Sequence, residues 1–147
     1  MFNKKFVFPM LALFTAMGLS GCSSSGPGTG SEHFRTLAQE SVDQAEYLPG
    51  DFPIPVGAGI TFTDGELVGG KKSSMLIFET EESMDALGST YKEYVKAKEL
   101  DQGTQIVDSN NLIINGKVQG DYSYSIIGSS LDKKPGGAEV IVTWIEN

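Results

Sequence analysis

Strand-like runs bracket a single stretch of helical period, and that arrangement restricts this chain to few folds. Ahead of the helical stretch, "GITFTDGELVGGKKSSMLIFET" at 59–80 reads as two strands about the tight turn Gly69–Gly70. After it come "TQIVDS" and "NLIIN" around an Asp-Ser-Asn-Asn turn, then "DYSYSIIG" and "AEVIVTWIE" joined by the loop "SSLDKKPGG". Between them, Met84, Leu87, Tyr91, Tyr94 and Val95 fall on one helix face. Thr80 or Ser83 can cap that helix, acids cluster at its start, and Lys92, Lys96 and Lys98 lie toward its end, as the helix dipole favours. Gly103 is its expected stop. Strands joined by short turns pair antiparallel. The expected fold is therefore α+β: a sheet of about five antiparallel strands with one main helix packed across it, in the order β-β-α-β-β-β.

A half-buried strand alternates apolar with polar residues, and two of these strands do not. Met75, Leu76, Ile77 and Phe78 are consecutive, as are Val140, Ile141 and Val142. Alternation places Tyr122, Tyr124 and Ile126 on one face of their strand. Likewise Val140, Val142 and Trp144 share one face of the last strand, and Ile141 and Ile145 the other. One helix covers only one face. The second face is covered by segment 34–56 folding back, by a second copy or partner protein, or by an apolar ligand, or else it stays open as a binding patch. If a partner or ligand supplies the cover, Tyr122, Tyr124 and Trp144 are the expected contact residues, because amphipathic rings suit recognition. In the first alternative those rings pack on segment 34–56.

The N-terminus, "MFNKKFVFPMLALFTAMGLSGC", has a positive start at Lys4 and Lys5, then 14 uncharged residues from Phe6 to Leu19. As a helix that run spans about 21 Å, short of the roughly 30 Å hydrocarbon core, and it has the size of a secretory h-region. Leu19-Ser20-Gly21-Cys22 then resembles the lipobox of bacterial lipoproteins at all four positions. The resemblance implies cleavage between Gly21 and Cys22 and acylation of the Cys22 thiol, which reacts through its thiolate. Membrane attachment then comes from hydrocarbon, at about 0.8 kcal/mol per buried methylene. Acylation also accounts for a secreted chain with a single cysteine. Ser23, in place of an acid, resembles an outer-membrane address facing the periplasm in a two-membrane host. In a single-membrane host the lipid implies the outer face of the plasma membrane.

The organisation that follows is a signal peptide at 1–21 and an acylated Cys22 with a Ser/Gly/Pro/Thr tether at 22–31. Next come an amphipathic helix from Glu32 to Leu48 with a Pro-rich connector, together 32–57, and an α+β domain at 58–147. The Pro-rich segment, the apolar hairpin and the "YKEY" helix are similar to small α+β domains that follow lipoprotein signals in many bacteria, which implies the fold and no mechanism.

With 39% hydrophobic and 20% charged residues, the chain is not wholesale disordered. Its net charge of −8 becomes −10 once Lys4 and Lys5 leave with the signal peptide. Nucleic acid and anionic lipid headgroups are therefore not expected partners. His33, the single histidine, lies toward the tether, which excludes Ser–His and Cys–His nucleophiles. Thiolate and imidazole metal sites lack ligands. Glu79, Glu81 and Glu82 read as a solvated cluster at a helix start, and "TDGEL" at 63–67 as a turn rather than a calcium loop. The expectation is a lipid-anchored, non-catalytic binding or accessory module without metal or cofactor beyond the lipid on Cys22. The alternatives are a subunit of an envelope complex or a homodimer formed through the second sheet face, and, last, a carboxylate-based hydrolase.

Overall fold

The computed structural model describes residues 33–37, 45–118 and 120–147. Cys22, the lipobox and the tether lie outside the described residues. A short antiparallel pair, β1 (Phe34–Thr36) and β2 (Pro53–Pro55), precedes the main sheet. That sheet comprises β3 (Gly59–Val68), β4 (Lys71–Thr80), β5 (Asp101–Val107), β6 (Asn111–Val118), β7 (Tyr122–Ser130) and β8 (Ala138–Glu146), with α1 (Met84–Ala97) between β4 and β5. Its strand order is β3-β4-β8-β7-β6-β5, antiparallel throughout. The fold is α+β as expected, with six strands in the main sheet rather than about five. The α1 crossover carries the chain from β4 to the far edge, and a meander brings it back until β8 closes beside β4.

Local signals explain several elements. Gly69 and Gly70 both take positive φ, 60° and 82°, as a two-residue turn matched to the strand twist requires. Ser83 caps α1, its Oγ accepting from the Ala86 N–H at 3.2 Å, with Asp85 in the first turn and Lys96 in the last. The helix ends at Ala97, well before Gly103, which lies within β5. The terminator is a Schellman arrangement: Leu100 N–H donates to Val95 O at 3.0 Å, Glu99 N–H donates to Lys96 O at 3.1 Å, and Glu99 takes φ 53° where glycine is usual. "TDGEL" is no turn either. It lies inside β3, with Asp64 opposite Met75 and Gly65 opposite Ser74.

One face of the sheet carries the core. Leu76, Phe78, Val140, Val142, Ile126, Leu112 and Ile114 are all essentially inaccessible there. The helix lays Met84, Leu87, Tyr91 and Val95 over them. Gly88 allows close approach to β5, since a Cβ there would stand 2.6 Å from Val107 Cγ1. Segment 45–58 fills the rest of this same layer. Phe52 stacks on Tyr91 at 5.3 Å and meets Tyr94 edge-on at 5.5 Å, Ile54 is fully buried, and the Lys72 ammonium stands over the Tyr47 ring.

Two expectations are corrected here. The described part of 34–56 packs beside α1 and does not fold over the second face. The helix expected from Glu32 to Leu48 is replaced at Phe34–Thr36 by a strand paired with Pro53–Pro55, while 38–44 lie outside the described residues. Apolar Phe34, Leu37, Ala45 and Leu48 do reach the core, but Phe34 does so from extended backbone and Leu48 from a turn.

Candidate functional site

The second face of the sheet is built from the residues that alternate with the core set. The register aligns one residue from each strand into a single transverse row: Phe62, Ile77, Ile141, Ile127, Ile113 and Ile106. Five of the six are isoleucines, stiff at χ1 and favoured on pleated surfaces. Phe62 and Ile106 are both 47% exposed and Ile127 is 43% exposed, while Ile77, Ile141 and Ile113 are partly buried by their neighbours. No described element lies over the row, so it remains an apolar band across the sheet. Above it stand Glu79 on β4 and Glu139 on β8, then Ser129 and Asn111 on β7 and β6. Below it stand Met75, Thr143, Ser125 and Asn115. The row itself has no hydrogen-bonding side chain. It can bury against another apolar surface, and it offers nothing that moves a proton.

The aromatic residues expected as contacts lie elsewhere. Tyr124 and Trp144, 3% and 5% exposed, are on the core face, with rings tilted together at 5.6 Å. The Tyr124 hydroxyl donates to Asp101 O at 3.0 Å across Gly116, whose missing side chain makes room: a Cβ there would meet Asp101 O at 1.8 Å. Tyr122 is partly buried and packs against the same core. Alternation told which residues share a face but not which face the helix takes. Of the open face, the sequence singled out Ile141 and Ile145. The four other isoleucines of the row become visible only through register, although the doublets at 113–114 and 126–127 each contribute one residue to either face.

The acids at the helix start line a cleft of about 450 Å³ with Ile60, Thr61 and Lys134. His33 is not adrift from this end of the fold. Its Nδ1 is 3.5 Å from Glu82 Oε1, its carbonyl accepts from the Val56 N–H, and its side chain remains 75% exposed. Lys134 Nζ lies 3.8 Å from Glu79, and the Glu82 N–H donates to Thr80 Oγ1 at 3.1 Å. Among the described residues, no group of three or more His, Cys, Asp or Glu side chains is arranged to hold a metal ion. Perturbed titration occurs away from both surfaces. Burial pushes the Tyr91 phenol up, and burial together with the charge and hydrogen bond of Asp51 does the same for Tyr94. In the β5–β6 turn, backbone N–H groups of Asn110 and Asn111 hold the Asp108 carboxyl below its ordinary value.

Comparison with known protein families, curated proteins and solved structures finds no match.

Proposed function

We propose that this chain is a lipid-anchored protein of the bacterial cell envelope that acts by binding rather than by catalysis, with the open sheet face as its contact surface. The isoleucine row carries the binding half of this reading. A soluble monomer rarely leaves a contiguous apolar band uncovered, and such a band marks a contact site. The anchoring half rests on Leu19-Ser20-Gly21-Cys22 in register behind a charged and then an apolar segment. Ser23 supports the outer membrane, facing the periplasm, in a two-membrane host. In a single-membrane host the outer face of the plasma membrane is the site.

The chain enters the described fold at His33, beside Glu82 at the β4 end. The tether therefore joins the acidic end of the fold.

Metabolic labelling with a clickable fatty acid tests the anchor: the native chain takes the label and Cys22→Ala loses it. An unlabelled native chain or an intact leader overturns that half. A photo-cross-linking residue at Ile127 tests the surface. Adducts are expected there and not at Lys92, which is exposed on α1, and equal yields at both positions overturn it.

A further inference from the structure

We infer that the occupant of the open face is a second copy of this chain, stacked face to face about a two-fold axis that runs along the strands between β7 and β8. The inference deepens the binding reading above and rests on it.

The footprint is of the right size. Six strands about 4.8 Å apart, with about eight residues along each at about 3.4 Å, give a face of roughly 29 by 27 Å. That is close to the ~800 Å² per partner of a standard interface. The row is also open rather than enclosed. Neither the cleft at Glu79–Glu82 nor the hollow lined by Asp101, Asn115, Lys117 and Tyr124 includes a residue of the row, so neither encloses a small ligand against the isoleucines. A flat aliphatic surface is matched by another flat aliphatic surface, as when two sheets pack about 10 Å apart.

The row is self-complementary under this rotation. The axis places β8 over β7, β4 over β6 and β3 over β5 of the second copy. Ile141 then meets Ile127, Ile77 meets Ile113 and Phe62 meets Ile106, so the apolar band falls on itself along its whole length. Glu139 then faces Ser129 and Glu79 faces Asn111 of the other copy, and neither faces another acid. The like charges that do meet are Glu66 and Asp101 of the other copy, on the two outermost strands, where the roughly 30° splay of stacked sheets opens the corners to water.

The choice of axis follows from the anchor. Rotation about the strand direction leaves the strands of both copies pointing the same way, so both His33 ends, and both tethers, face one membrane. Rotation about the isoleucine row would superpose the band equally well but send the two tethers to opposite sides. An isologous contact of this kind closes at two copies.

Native mass spectrometry of the full acylated chain released from detergent micelles tests the assembly. A two-chain mass that grows from low to high micromolar protein is expected, and raising ionic strength strengthens it by screening the acidic rims. Ile127→Lys places an unpaired ammonium at the centre of the contact and weakens association by at least about a hundredfold. Circular dichroism confirms that the variant folds; if it does not, Ser125→Arg, beside the axis on a polar row, takes its place.

A single-chain mass at every concentration overturns the second copy, and so does a two-chain mass indifferent to both substitutions. Cross-linking at position 127 in living cells separates the two levels. An adduct of two chains supports the dimer, and an adduct of any other mass overturns it while leaving the contact surface standing. No adduct overturns both.

Discussion

Ile126 and Ile127 are consecutive on β7 and face opposite ways, Ile126 at 1% exposure beneath α1 and Ile127 at 43% on the open side. Across the sheet Ile126 pairs with Val142 and Ile127 with Ile141. Truncation therefore separates packing from surface. Ile126→Ala is expected to cost about 2–5 kcal/mol, through lost burial and the cavity left behind. Ile127→Ala, measured on monomer at low concentration, is expected to cost less than about 1 kcal/mol. Urea unfolding of the two variants checks this, and equal losses would show that the open face is covered within one chain.

Tyr91 is fully buried, and its hydroxyl has no hydrogen-bond partner among the described residues. An orphaned buried hydroxyl costs about 1–3 kcal/mol. Tyr91→Phe keeps the stack on Phe52 and removes the penalty, so its melting temperature should equal or exceed that of the native chain.

The same phenol sets a pH dependence. Burial raises the Tyr91 and Tyr94 pKa above 10.0 in the fold, so the folded state holds the neutral phenols in preference to the unfolded state. Their contribution is complete below pH 10 and is lost as pH rises above it, because the unfolded chain releases protons that the folded chain retains. Tyr91→Phe should make that alkaline decline shallower. Denaturant midpoints measured at neutral and at strongly alkaline pH give the comparison.

Gly88→Ala opposes two effects. Alanine favours helix over glycine by about 1 kcal/mol. Against this, the new Cβ would lie 2.6 Å from Val107 Cγ1 and 3.0 Å from Cγ2, on a β-branched side chain with little freedom to turn. Overpacking of this kind costs about 1–3 kcal/mol, so the clash wins and the variant should melt lower. Adding Val107→Ala should recover part of the loss, and the double-mutant cycle reads the coupling.

Glu99 holds the left-handed position of the α1 terminator at φ 53°. Glu99→Gly relieves about 1 kcal/mol of backbone strain, partly offset by the greater freedom of glycine in the unfolded chain. A small gain in thermal stability is expected, and a loss would mean that the side chain holds its place for another reason.

The elements that were legible depend on neighbours in sequence. Gly69–Gly70, the Ser83 cap and the stripe from Met84 to Val95 are local signals, and each forms what its pattern indicates. The end of α1 is not legible in the sequence, because Glu99 stands where glycine is usual and Gly103 is the first glycine beyond the helix. The strand at Phe34–Thr36 is not legible either, because it is created by Pro53–Pro55, a partner that no helical wheel can show. The second apolar face is legible from Met75–Phe78 and Val140–Val142, but the residues that line it are not. Period-two patterning assigns residues to sides, but only pairing across all six strands lines up one isoleucine after another, and only the placement of α1 decides that Tyr124 and Trp144 lie inside.

The register break between Ile60 and Phe62 on β3 has a bearing on how far any assembly can grow. An outermost strand with an even ladder is an invitation to endless templating, one molecule zipping onto the next. Here the ladder stutters, and Asp64 and Glu66 lie close behind the break. Growth sideways into fibrils is thereby discouraged, leaving the broad side of the molecule as its route to company.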